Sequence, residues 1–234
     1  MGSTTGNDKL ILYTNHTCTW ANRANVALAE LGIPFEERII NVDGPRPPAF
    51  LELNPRALVP VLIWNDKVII DFSSMYTRRT CARPHDHGGG PPPRQHVFFT
   101  DAYWANFHTL LFRLFESPAP ADEEKVVDEA VQGLVREVEP LLGDAAPFFG
   151  KSQRLTLAEV ITGPFVIRAV TLSKHGVYPT SLNRQIEEKA PNFHKWAIAV
   201  SNHPSITAVF DEQVHVARSR AKRERMRKAA GLAQ

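Results

Sequence analysis

The chain has 234 residues, 43% of them hydrophobic, enough to bury one large core or two smaller ones, and two domains are expected. Its 27 basic and 25 acidic residues leave a net charge of +2, which excludes a strong global field directed at nucleic acid or an anionic membrane. Two cysteines, Cys18 and Cys81, are too few for the disulfide framework of a small secreted domain, and no stretch approaches the ~20 apolar residues of a membrane span; with the polar start Met1 to Asp8, a cytoplasmic protein is expected.

Lys9 to Tyr13 is a short β-rich run. Ala21 to Leu31 then places Ala24, Ala27, Leu28 and Leu31 at helical spacing, and Gly32 with Pro34 ends that helix. Phe35 to Asn41 reads as a second strand and Phe50 to Asn54 as a helical turn. Val59 to Ile63 and Lys67 to Ile70 are two further strands around the turn residues Asn65 and Asp66. The order β-α-β-α-β-β is that of a thioredoxin-like α/β domain, residues 9–77. Arg78 to Gln95 contains the pair Arg78-Arg79, Cys81, His85, His87, three consecutive glycines and three consecutive prolines, and nothing that could form a core, so 78–96 is expected to be an exposed linker. From Val97 onward the signals are helical only, at Phe98 to Phe115, Glu123 to Leu142, Leu157 to Thr171 and Ile186 to Ser201, which predicts an all-α bundle over 97–234. Ala217 to Lys228 is a basic, helix-compatible tail. Without interleaved aromatics to stack on bases it reads as a solvated terminal helix and not as a nucleic-acid binder.

Three local patterns carry chemistry or structure. Cys18 lies between a predicted strand and a predicted helix, where unpaired amides and the positive end of the macrodipole stabilise a thiolate. A buried apolar filler is the competing reading of a single cysteine, and position alone does not choose between them. In Asn54-Pro55-Arg56-Ala57-Leu58-Val59-Pro60-Val61-Leu62, a proline at the start of a strand suits a cis peptide that offers the Val59 backbone to a peptide-like ligand, although a plain structural turn fits as well. Thr156-Leu157-Ala158-Glu159 has the form of a capping box, and Pro164-Phe165 inside the same helix marks a kink or a tight packing point. Cys81, His85 and His87 fall short of the four ligands of a closed zinc site, so no metal is expected.

Together these residues resemble the cytosolic glutathione transferase family over most of the chain except Arg78 to Gln95. The segment from Asn54-Pro55 to Leu62 is similar to the family's signature before its cis-proline strand, and Thr156 to Glu159 with Pro164-Phe165 is similar to the hallmark of its helical domain. Cys18-Thr19-Trp20-Ala21-Asn22-Arg23 looks like the omega class motif, with Thr19 in place of a proline. The resemblance implies a mixed disulfide between Cys18 and glutathione, Trp20 lining the site, and the backbone at Val59, before cis Pro60, pairing with the cysteinyl unit. It puts Arg46 near the glycine carboxylate. Asp71 would hold the glutathione amino group, and Ser73 would substitute for the serine that Phe72 displaces, since a phenyl ring cannot donate a hydrogen bond. The family's third helix is expected to be shortened or lost after Arg78-Arg79.

The leading expectation is therefore an enzyme that uses glutathione as co-substrate for thiol transfer or reduction through Cys18, with an apolar or electrophilic small molecule as acceptor. Tyr103, Trp104 and Phe107 are candidates for the wall of the acceptor cleft, although an aromatic stripe at this spacing also suits a core. Conjugation of glutathione to an electrophile, aided by a hydroxyl from Thr14 or Thr17, is the second reading. A non-catalytic interaction module is the third. The family resemblance also implies a homodimer.

Overall fold

The computed structural model describes residues 9–70, 93–115 and 120–231, which fall into two compact units divided at Thr80. Asp71, Ser73, Cys81, His85, His87 and the expected loss of a third helix lie outside the described residues.

The first unit is a four-stranded sheet with two helices: β1 (Leu10–Thr14), α1 (Thr19–Glu30), β2 (Glu36–Ile39), α2 (Pro48–Leu53), β3 (Val61–Trp64) and β4 (Lys67–Ile70). The strand order is β2-β1-β3-β4, with β1 and β2 parallel and the other pairs antiparallel. Alternation along the strands divides the apolar residues between two faces. Leu12 and Leu62 pack on Ala24 and Leu28 of α1, together with Ile33, Phe35 and Ile69, while Val61 packs with Ile40 and Phe50 on the other side.

Two turns explain why the elements stop where they do. Asn65 and Asp66 both take positive φ (48° and 64°), the backbone of a two-residue hairpin whose twist matches the strands it joins. At the end of α1, Gly32 (φ 61°) donates to the Ala29 carbonyl and Ile33 to the Leu28 carbonyl, the paired bonds of a Schellman cap. Ile33 then packs in the cluster that contains Leu28, the apolar contact that accompanies this cap.

The second unit is helical: α3 (Pro93–Tyr103), a π-helical segment (Trp104–His108), α4 (Thr109–Arg113), α5 (Pro120–Glu137), α6 (Leu157–Lys174), α7 (Ser181–Lys189), α8 (Pro191–Ser201), α9 (Pro204–Thr207) and α10 (Glu212–Ala229), with short 3-10 turns at Glu139–Leu142 and Phe149–Lys151. Helix begins at Pro93, four residues before the expected boundary at Val97, because proline is well placed in a first helical turn. The expected single helix from Ile186 to Ser201 is two helices. Ala190 breaks it (φ −134°, ψ 63°), and Pro191 restarts it with the Glu139 carboxylate accepting from the Asn192 and Phe193 amides at 2.9 and 2.8 Å.

The capping box at the start of α6 is present and does more than cap. The Thr156 hydroxyl accepts from the Ala158 amide at 3.2 Å, and Glu159 Oε2 accepts from the Thr156 amide at 2.7 Å and its hydroxyl at 2.6 Å. Glu159 Oε1 accepts from the Phe149 amide at 2.8 Å and from Trp196 Nε1 at 2.7 Å, all within a fully buried site. One carboxylate thereby joins the 3-10 turn, α6 and α8.

The basic tail is not simply solvated. Arg223 donates to the buried Glu123 carboxylate on α5 and to the Val177 carbonyl, Arg220 donates to the His175 carbonyl at 2.9 Å, and His215, Val216 and Ser219 are buried. α10 is a docked strut whose cations are largely engaged inside the second unit.

Candidate functional site

Cys18 is the N-cap of α1, in extended backbone (φ −92°, ψ 103°), and its thiol makes no capping hydrogen bond to the helix. Its carbonyl accepts from the Asn22 amide at 3.0 Å, and its amide donates to the Asn15 carbonyl at 2.9 Å. The residue is half-buried. A thiolate at this N-cap would lie near the positive end of a 12-residue helix.

The loop that presents Cys18 is fixed by side chains from three elements. Asn15 Oδ1 accepts from the Thr17 amide at 2.8 Å and the Thr17 hydroxyl at 2.6 Å, an Asx turn, while its Nδ2 donates to the Ile40 carbonyl at 2.7 Å. Asn22 Nδ2 donates to the His16 carbonyl at 2.9 Å from within α1. Glu37 Oε1, on β2, meets His16 Nε2 at 2.8 Å and accepts from Asn25 Nδ2 at 2.7 Å. The Thr14 hydroxyl donates to Asn25 Oδ1 at 2.9 Å and is fully buried.

This network occupies the hydroxyls of Thr14 and Thr17. A hydroxyl has one hydrogen to donate. Those of Thr14 and Thr17 are both given to asparagine side chains, so neither is placed to stabilise the thiolate of a bound glutathione. The Cys18 thiol carries no such internal duty. Trp20, two residues further on, is 46% exposed, with the Arg23 guanidinium carbon 4.4 Å from its ring centroid. Trp20 thus offers an exposed ring at this end of α1, packed on the buried Arg23.

Opposite in the sequence, the turn before β3 is built by Asn54. Its Nδ2 donates to the Leu58 carbonyl at 2.8 Å, its Oδ1 accepts from the Arg56 amide at 3.1 Å, and its carbonyl accepts from the Ala57 amide at 2.9 Å. Ala57 sits at φ 60° and the Val59–Pro60 peptide is cis. Pairing with β1 starts at Val61 opposite Tyr13, so Val59 lies ahead of the sheet ladder. Arg46 reaches this turn as well: it donates to the Ala57 carbonyl at 3.0 Å and to the carbonyls of Asn41, Gly44 and Val42 at 2.6, 2.7 and 3.4 Å.

The aromatic residues expected to wall an acceptor cleft divide differently. Tyr103 and Phe107 are buried in the second unit's own core, 5.7 Å apart, with Phe193 near both rings. They are therefore core residues, and the aromatic stripe is explained by packing among Phe99, Phe193 and Trp196. Trp104 is half-buried, edge-on to Phe165 at 4.6 Å. It lies in the π-helical segment, whose Asn106 carbonyl fits against Gly133 of α5 so closely that a Cβ there would stand 2.2 Å from the oxygen.

Sequence reasoning marked the turn at Asn54-Pro55 but not the bonds of the Asn54 side chain, and it gave no role to Asn15, which shapes the other loop. Their signals were present: asparagine two residues before a threonine, and asparagine before a proline, both turn-forming pairs. Among the described residues no group of three or more histidine, cysteine or acidic side chains is arranged to hold a metal. No helix among them is long and apolar enough to cross a membrane.

A parallel-and-antiparallel four-stranded sheet with a cysteine at the first helix N-terminus and a cis-proline before the third strand defines a thioredoxin-like domain, here followed by a helical unit. Residues 17–76 match the family model of the glutathione S-transferase N-terminal domain. Among solved structures, glutathione transferase Omega 3C from Trametes versicolor is 20% identical, with a TM-score of 0.71 over 97% of this chain and 94% of its own. Omega 1C from the same organism is 19% identical, with a TM-score of 0.73 over 94% of this chain and 98% of its own. Rice GST1 (OsGSTU1), solved in complex with glutathione, is 18% identical with a TM-score of 0.71, covering 94% and 99% of the two chains. At these identities the likeness is one of fold. No curated protein sequence matches the chain.

Proposed function

We propose that the protein binds glutathione in its first unit and uses Cys18 for thiol transfer. The observation that carries this reading is the contrast at the start of α1: the Thr14 and Thr17 hydroxyls are committed to Asn25 and Asn15, whereas the half-buried Cys18 thiol has no capping role. Glutathione would lie extended along Val59, with its cysteinyl unit in register with the backbone ahead of cis Pro60 and Trp20 at the rim. Asp71 and Ser73 are the side chains assigned to its γ-glutamyl end. The match to the family domain and the likeness to the rice protein solved with glutathione support glutathione as the ligand.

The reaction runs in two exchanges. The Cys18 thiolate attacks the glutathionyl sulfur of a mixed disulfide substrate, forming a Cys18–glutathione disulfide and releasing the substrate thiolate, which takes up a proton. A second glutathione thiolate then attacks the glutathionyl sulfur of that intermediate, giving glutathione disulfide and restoring the Cys18 thiolate. Two glutathione molecules are thus the reductant when the substrate enters as an ordinary disulfide. The substrate is the disulfide of an apolar small molecule, and the protein acts as a homodimer.

Activity of wild type and Cys18→Ala on a disulfide substrate and on a conjugation substrate, measured side by side, tests the proposal. Loss of disulfide reduction with folding intact supports it. Undiminished reduction in Cys18→Ala refutes it, and conjugation as the dominant activity of wild type moves the chemistry to glutathione's own thiol.

A further inference from the structure

Arg46 precedes α2, and its family-like position implies an anion ligand, yet its guanidinium faces oxygen atoms of its own chain. Nε donates to the Ala57 carbonyl at 3.0 Å, Nη1 to Asn41 and Gly44 at 2.6 and 2.7 Å, and Nη2 to Val42 at 3.4 Å. A guanidinium has five N–H donors. These four bonds leave a single one for anything else. A carboxylate is best held by two parallel donors, and that fork is not on offer here.

The carbonyls come from two segments separated in sequence. Asn41, Val42 and Gly44 form the loop after β2, and Ala57 belongs to the turn that leads to Val59. Ala57 holds a positive φ of 60°, where an alanine is sterically disfavoured, so that turn must be held from outside. Asn54 grips it on one side through the Leu58 carbonyl and the Ala57 amide, and Arg46 grips it on the other. The ladder begins only at Val61. Between the clamp and the sheet lie Leu58, Val59 and Pro60, the stretch whose backbone meets the ligand.

We infer that Arg46 is a positioning residue: it fixes Ala57 and thereby the backbone of Val59 that receives the cysteinyl unit of the ligand, instead of binding the ligand's glycine carboxylate. This rests on the glutathione-binding reading above. It carries a consequence for specificity. The site would depend on the γ-glutamylcysteine portion and be nearly indifferent to the glycine beyond it.

Calorimetric titration of wild type, Arg46→Ala and Arg46→Lys with glutathione and with γ-glutamylcysteine tests this, alongside hydrogen exchange of the 54–60 segment without ligand. Arg46→Ala is expected to weaken both ligands alike, by about tenfold, and to speed exchange in that segment. Arg46→Lys should restore little, because an ammonium cannot span the separated carbonyls, although it is a good ligand for a carboxylate. Loss of glutathione affinity with γ-glutamylcysteine unaffected, or full rescue by lysine, overturns the inference in favour of direct carboxylate binding. Unchanged affinities and unchanged exchange overturn it too. Should Arg46→Ala not fold, the lysine variant and the two-ligand comparison decide the matter alone. Wild type that binds neither ligand refutes the glutathione reading and with it the ligand half of the inference, whereas exchange unchanged in that segment refutes the clamp itself.

Discussion

The two units fix their key segments by opposite means. In the second, the Glu159 carboxylate is fully buried and accepts four hydrogen bonds from three segments inside an aromatic core. In the first, the Cys18 loop and the turn before Pro60 are held by asparagine and arginine side chains that are partly open to water, each bond tying a single backbone group. Burial gives the Glu159 arrangement its strength, because an orphaned polar group has no water to turn to. A loop that must admit a ligand cannot be buried. It is held instead by many modest bonds whose loss changes geometry more than stability.

The largest effect should come from breaking the buried hub. Glu159→Ala strands the Phe149 amide and the Trp196 indole N–H, and is expected to cost about 3 kcal/mol or more in urea unfolding. A cost under about 1 kcal/mol would mean the hub is not what joins α6 and α8. Next comes Gly133→Ala, whose Cβ would meet the Asn106 carbonyl of the π-helical segment at 2.2 Å. Since a backbone oxygen cannot step aside cheaply, about 2 kcal/mol is expected, and a neutral result would show that the π segment relaxes to α-helix.

Asn15→Ala probes the other side of the comparison. It removes the acceptor for Thr17 and the tie to Ile40, with about 1 kcal/mol of stability at stake, while the rate of Cys18 alkylation should change out of proportion to the shift in melting temperature. Equal small effects on both would erase the distinction between the units. The smallest effect belongs to Glu212, at the start of α10, whose carboxyl is held below its ordinary value of 4.5 chiefly by the His175 hydrogen bond and then by Lys174. A depressed carboxyl contributes stability that is present above pH 4.5 and is lost as pH falls through its folded value. Because the pair is exposed, Glu212→Gln should lower stability near neutral pH by about 0.5 kcal/mol and leave it unchanged once the wild-type carboxyl is protonated.

What could be read from sequence follows the range of the interactions involved. The Gly32 stop, the Asn65-Asp66 turn, the capping box and the cis bond before Pro60 are decided within a few residues, and each is found in the structure. The burial of Tyr103 and Phe107 was open, because helical periodicity identifies an apolar face without saying what covers it. Docking of α10 was not legible at all: Arg223 pairs with Glu123, a hundred positions away, and a basic run viewed alone reads as solvated. At the candidate site, Cys18 stood out through its place between a strand and a helix. That Thr14 and Thr17 are committed to neighbours, and Arg46 to carbonyls, required the geometry.

The most direct test is peptide mapping by mass spectrometry of the folded protein after exposure to glutathione disulfide. One glutathionyl group on the Cys18 peptide, removed by reduced glutathione and absent in Cys18→Ala, is the expected result. An unmodified Cys18, or an adduct confined to Cys81, would contradict the assignment of Cys18 as the reacting thiol.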